Sequence, residues 1–269
     1  MDGQALPRRS LLALALALTL LLPANAGASQ SATLHVALTP EHLGGRTTIL
    51  FDLQISSAGA QVPSPLTAVN LLYPKDVGLI TSGLGLQTCS PAHLESQGRC
   101  PANSLMGYGQ ALVEFPIGPE LIQEHGAITT WMAPAVDGHL TLLFYAEANT
   151  PVSASLIFTS QLLDAPAPFG GELATDIPLI PTLPEAPDAA VVAMTTTIGP
   201  MNVTYYRQFR GKSIPYHPRG VRLPKRCPRG GFPFAASFTF RDGTHTTART
   251  AVPCPRPAIR SSALPPPRP

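Results

Sequence analysis

The chain has 269 residues, 44 % of them apolar, with 31 Pro, 22 Gly and 4 Cys. That length suffices for one large domain or two small ones, which excludes a mini-protein whose fold depends on disulfides. The formal net charge of +2 excludes a uniformly acidic or basic chain, and it hides a split. Residues 27–201 carry three basic residues (Arg46, Lys75, Arg99) against fourteen acidic ones, whereas residues 202–269 carry thirteen basic residues against one acid, Asp242. Such asymmetry points to an anionic wall polymer, a membrane surface or extracellular DNA as partner. The competing reading is internal cancellation, in which the basic third packs across the acidic two-thirds and lowers self-repulsion.

Residues 1–26 have the three parts of a signal peptide. Arg8 and Arg9 precede an almost pure Leu/Ala run over 11–22, and Ala24-Asn25-Ala26 gives a small-x-small cleavage site. The run is about a dozen residues where a bilayer core needs about 20, so a cleaved leader is expected rather than an anchor. Arg8-Arg9-Ser10-Leu11-Leu12 also resembles a twin-arginine signal, which leaves the export route open. No later segment is apolar enough to span a bilayer. The mature chain is expected to be secreted or cell-envelope associated, with no transmembrane span.

Beyond the leader the pattern is strand-like. Residues 33–38 alternate, 47–55 are β-branched and apolar, and 66–73 end at Pro74, which removes a ladder donor. A short helix is expected from Ser90, with Pro91 in its first turn. Further strands are read at 107–115, 127–132, 138–146, 155–163, 189–198 and 201–209, punctuated by Pro, Gly, Asn and Asp clusters. No long stretch has a 3.6-residue apolar period, so helices are few and short. Residues 178–187 (PLIPTLPEAP) are too Pro-rich for a central strand and read as a long ordered loop. Near the end, Phe234, Ala236, Phe238 and Phe240 form one apolar face. Asp242-Gly243 then fits a two-residue type I′ turn, and 244–252 returns as the partner strand. Pairing Arg241 with Thr244 would set Cys254 opposite Gly231. Residues 255–269 are Pro/Arg/Ser-rich and read as a disordered tail.

Four cysteines allow three pairings. Cys89–Cys100 and Cys227–Cys254 are favoured because each brackets a short local segment. A zinc site is the alternative, but no C-x-x-C or His pair sits at ligand spacing, so no metal is expected.

The search for chemistry assigns no catalytic residue and no cofactor. There is no G-x-S-x-G elbow and no H-E-x-x-H; Glu124-His125 stands alone, and Gly107-Tyr108-Gly109 lacks a third glycine and a following helix. Paired carboxylates are the enzymatic alternative, with Glu114, Glu120, Glu124, Asp137 and Glu147 as candidates for glycoside hydrolysis. The bland reading of these is solvated surface acids.

The best candidate binding surface is Tyr205, Tyr206, Arg207, Arg210, Lys212, Tyr216 and Arg219. Aromatics interleaved with cations stack on sugar rings while pairing with phosphate or carboxylate. Arg210, Lys212 and Arg219, with Arg222, Lys225, Arg226 and Arg229, crowd the loop that follows the strand. The competing reading is an edge strand whose charges block aggregation. No specific nucleic-acid site is read.

Arg outnumbers Lys fifteen to three, and Ala, Pro and Gly are abundant, as GC-rich codons would give. Several stretches carry a resemblance: Pro63-Ser64-Pro65-Leu66-Thr67 before a Leu-rich strand, Cys89-Ser90-Pro91 through Cys100-Pro101-Ala102, Pro168-Phe169-Gly170-Gly171, Ile198-Gly199-Pro200, and Arg226-Cys227-Pro228-Arg229-Gly230-Gly231-Phe232. In these the chain resembles an uncharacterised group of exported β-rich proteins from high-GC Gram-positive bacteria. The resemblance implies export and a β-rich fold, and no activity.

The expectation is an all-β, antiparallel β-sandwich, Ig-like or jelly-roll-like, with few short helices. It would occupy residues 27–254, as one unit or as two subdomains meeting near 126. The expected function is non-catalytic association with an anionic polymer through the basic C-terminal third. A secreted polysaccharide hydrolase, and a structural or adhesive module with a protein partner, are the alternatives.

Overall fold

The computed structural model describes residues 29–79, 86–150, 153–218 and 220–255. The expected leader over 1–26, Arg219 and most of the expected tail, residues 256–269, lie outside them. In chain order the strands are β1 (Gln30–Thr39), β2 (Arg46–Ser57), β3 (Leu66–Pro74), β4 (Gly78–Leu79), β5 (Leu105–Ile117), β6 (Glu120–Val136), β7 (His139–Ala148) and β8 (Ala154–Leu163). They continue as β9 (Phe169–Asp176), β10 (Ala190–Ile198), β11 (Tyr205–Phe209), β12 (Lys212–Tyr216), β13 (Val221–Arg222), β14 (Phe232–Phe240) and β15 (His245–Val252). The α-helix among the described residues is α1 (Pro91–Gln97), capped by Ser90, whose Oγ accepts from the His93 amide at 3.2 Å.

The all-β class is as expected, and every described pairing is antiparallel. In place of two separate facing sheets, one continuous 13-stranded sheet runs β15-β14-β3-β9-β8-β7-β6-β5-β10-β2-β13-β4, with β1 also paired on β2. The right-handed twist that each strand adds curls so long a sheet. β1 thereby returns alongside β15, from the opposite end of the strand order. Phe51 on β2 meets Phe234 on β14 edge-on across the interior, with ring centroids 6.0 Å apart. Residue 126 is an internal position of β6, and the sheet runs on through it.

Period-2 alternation fills the concave face. Leu34, Val36 and Leu38 of β1 point inward with Ile49, Phe51 and Leu53 of β2, Leu142 and Phe144 of β7, and the stripe Phe232, Phe234, Phe238 and Phe240 of β14. The convex face is covered locally. The segment closed by the Cys89–Cys100 disulfide (Cα–Cα 5.5 Å) lays Leu94 of α1 on Ala133 and Leu143, with Trp131 and Tyr145 around them. The Cys227–Cys254 disulfide (Cα–Cα 5.8 Å) ties the open end of the β14–β15 hairpin. Both favoured pairings are therefore present.

That hairpin's turn differs from the expected one. Thr239 pairs with His245, Phe232 with Val252, and the Gly243 amide donates to the Phe240 carbonyl at 3.0 Å. The loop has three residues, with positive φ at Gly243 (80°) and not at Asp242. A two-residue turn would shift the register by one and place Arg249 opposite Ala236 on the core face. The observed register puts Ala248 and Val252 there instead, both buried. Core burial decides the turn.

Candidate functional site

The sequence-predicted binding residues fall on a separate two-stranded ribbon. β11 pairs with β12 from Tyr205↔Tyr216 to Phe209↔Lys212, leaving Arg210-Gly211 as the turn. Both turn residues have positive φ, 50° and 75°, the type I′ condition that Gly211 meets without a Cβ clash. The strand expected at 201–209 starts only at Tyr205, because Pro200–Asn202 forms a 3-10 turn. Lys212, expected in a loop, opens β12.

Tyr205 does not belong to the exposed surface. Its side chain is fully buried, its hydroxyl donates to the Leu105 carbonyl at 2.8 Å, and its ring meets Tyr216 edge-on at 5.7 Å. Burial, then the neighbouring Tyr216, pushes the Tyr205 phenol above its ordinary pKa. The half-buried Tyr216 phenol is also raised by burial, against the Arg207 charge that lowers it. Tyr205 thus anchors the ribbon, and Asn103 fastens the next residue by two hydrogen bonds to the Tyr206 backbone.

From Tyr206 outward the ribbon is exposed. Tyr206 is 50 % and Phe209 56 % exposed, and Arg207, Arg210 and Lys212 are exposed beside them. The Arg210 guanidinium sits 5.3 Å from the Phe209 ring centroid, a cation–π pair at the tip. The ribbon therefore presents aromatic faces and cations together. Arg219 lies outside the described residues.

A second basic group lies at the start of β2. β13 pairs with the start of β2, beyond the points where β1 and β10 stop, and sets Arg222 directly opposite Arg46. Val221 and Leu223 are buried on either side, so packing fixes Arg222 in place. Lys225 and Arg226 follow around a shallow depression that also includes Asp76. Like charges opposed across a ladder oppose folding. Among the described residues the ion pair present is Arg241 with Asp188, which joins the acidic and basic segments at one point. The remaining described cations have no ion pair.

Antiparallel topology places the ribbon and this basic group at the end of the sheet where β2 starts and β3 stops. The opposite end, where β5 stops and β6 starts, carries Glu114, Glu120, Glu147, Asp176 and Asp188. Glu41, Asp76, Asp137, Asp164 and Glu172 lie at the same end as the basic group, so the acids of the sequence are divided between the two ends of the sheet.

The candidate carboxylates do not share one face. Glu124 points into the core and is 4 % exposed. Glu114 is on the outer face, accepting from Gln123 Nε2 at 2.7 Å. Glu147 also lies outside, where it helps hold the Tyr145 phenol above its usual pKa, after the larger effect of burial. Glu120 and Asp137 lie at opposite ends of β6. Among the described residues no group of three metal-ligating side chains is present. No family model, curated protein or solved structure matches the chain.

Proposed function

We propose that this is an exported, non-catalytic envelope or extracellular protein that binds an anionic polymer through the β11–β12 ribbon and the basic loop that follows it. The observation that carries this reading is the ribbon itself: Tyr206, Arg207, Phe209, Arg210 and Lys212 exposed together on a projection held at its base by Tyr205 and Asn103. Such a surface stacks on sugar or base rings and pairs with phosphates or carboxylates. The sparse ion pairing supports the same reading, since the cations are not consumed by the acidic segment. Both disulfides fit an oxidising compartment. No helix among the described residues is long and apolar enough to cross a membrane.

The test is co-sedimentation of the purified protein with isolated bacterial envelope across a salt series, beside Arg207→Gln/Arg210→Gln/Lys212→Gln. Retention should fall steeply with salt, and the triple variant should flatten the log–log slope by about 2 to 3, roughly one per lost contact. No retention at low salt would overturn the proposal. Salt-insensitive retention, equal in the variant, would replace the polymer with a protein partner.

A further inference from the structure

The inward positions near the acidic end of the sheet are unusually small. Ala111 of β5, Gly126 of β6, Ala146 of β7 and Ala189 before β10 stand where other levels of the core carry Leu, Ile or Phe. The missing side-chain volume leaves a cavity of about 80 Å³, walled by Val113, Phe115, Ile128 and Phe158 and covered by Ile180 and Pro181 of the Pro-rich loop. Protein interiors are close-packed, and this partly open pocket forms where the small residues leave the wall unfilled.

The void does not stand alone. A second cavity of about 60 Å³ shares Phe158, Ile177 and Met194 with the first. A third, of about 50 Å³, shares Phe51, Leu71, Leu173 and Ile198 with the second. The three lie in line along the core, toward the basic end, separated by side chains. Met194 at the first partition is unbranched and adapts readily to a guest.

One charged side chain faces this apolar line. Glu124 occupies an inward position of β6, between Ile122 and Gly126, and lines the first of these three cavities. It is 4 % exposed, and its Oε1 has no hydrogen-bond partner. A buried carboxyl oxygen without a partner opposes folding unless something else satisfies it. The ion pair among the described residues lies elsewhere, at Arg241 and Asp188.

We infer that the line of cavities is a binding site for an extended alkyl chain whose hydrogen-bond-donating head, an amine or a hydroxyl, meets Glu124 Oε1. The apolar walls take the chain, and the orphaned oxygen takes the donor. A carboxylate head is disfavoured twice, by Glu124 itself and by Glu114 and Glu120 at the same end of the sheet. The site lies inside the sheet, away from the ribbon, and does not depend on the polymer proposal. The competing content is water, since one water needs only about 10–15 Å³.

The experiment is calorimetric titration of the purified protein with octylamine, 1-octanol and octanoate, at concentrations too low for micelles. Octylamine and 1-octanol should bind one to one, and octanoate about tenfold more weakly or not at all. Glu124→Gln should weaken octylamine about tenfold while changing 1-octanol much less, because an amide still accepts from a hydroxyl. Ala146→Leu fills the cavity and should abolish binding of both, with an equal or higher melting temperature. If Ala146→Leu does not fold, Ala111→Val narrows the same space. No binding of octylamine or 1-octanol would leave water as the content and overturn the inference. So would binding undiminished by the cavity-filling variant, or octanoate bound as tightly as octylamine.

Discussion

The Asn103 carboxamide takes the place of a neighbouring strand for Tyr206: Nδ2 donates to the Tyr206 carbonyl at 2.6 Å, and Oδ1 accepts from the Tyr206 amide at 2.7 Å. The exposed ribbon is thus held at its base by a side chain more than a hundred residues away in sequence. Asn103→Ala should cost the ribbon about 1–2 kcal/mol, two hydrogen bonds at about 0.5–1.5 each. Hydrogen exchange at the Tyr206 amide should accelerate while the β14–β15 amides do not change. Envelope retention should weaken although no charge has been removed.

Tyr205 gives the ribbon a pH limit. Burial, and secondarily Tyr216, raises its folded pKa, so the unfolded phenol ionises first, near pH 10. Above that pH the unfolded state holds fewer protons than the folded one, and stability falls as pH rises. The contribution is complete below pH 10 and is lost as pH climbs toward the folded value. Tyr205→Phe should be about 1 kcal/mol less stable at neutral pH, having lost the bond to Leu105. Its urea midpoint should decline less than the parent's between pH 10 and 11.

The Arg46–Arg222 opposition predicts a trade between stability and binding. Arg46→Gln removes a like-charge cross-strand pair and should stabilise the fold by about 0.2–1 kcal/mol at low salt, less at high salt. Polymer retention should fall in the same variant. A loss of stability instead would mean that the two guanidinium groups do not repel at this site. Thermal melts at two ionic strengths decide it.

Replacing Cys227 and Cys254 together by Ala opens a loop spanning 27 residues. In the chain-entropy model the cost is at most about 3.5 kcal/mol. For a chain of this size that lowers the melting temperature by about 7–14 °C. Calorimetric melting of the double variant measures it. Proteolysis should cut first near Gly230 and Gly231, where the hairpin is no longer tied.

Much of the local structure was legible in the residues. The alternation in 33–38 and 47–55 became β1 and β2, Pro74 closes β3, and Ser90-Pro91 starts α1. Each of these depends on period, capping or a missing amide within a few residues. β9 was not legible: its first residues, Phe169-Gly170-Gly171, look like a turn, and Gly171 belongs to the sheet because the Tyr73 ring lies over it from β3. β12 was hidden by Pro215, tolerated in a two-stranded ribbon that pairs it on one side.

The candidate surface was legible in part. The cations and Tyr206 stand out as expected, but Tyr205 is buried because Leu105 and Tyr216 enclose it. Glu124 was read as one of several candidate carboxylates or as a solvated surface acid, and not as an inward residue, since the strand read at 127–132 stopped short of it. β6 begins at Glu120 because β5 pairs with it along its length, from Ile117↔Glu120 onward. The available signal was a charged residue at an even position shared with Ile122, Ile128 and Met132.

By itself the sequence determined an all-β chain, many of its turn residues and the segregation of charge along the chain, and it favoured bridges between near cysteines. Those follow from local stereochemistry and composition. Tertiary structure alone decided that one sheet curls upon itself, that Arg222 faces Arg46, and that a carboxyl is buried beside open apolar space. Strand pairing joins residues far apart in the chain, and many registers satisfy the same alternation. Only the choice that buries Ala248 and Val252 while leaving Arg249 in water settles which one forms.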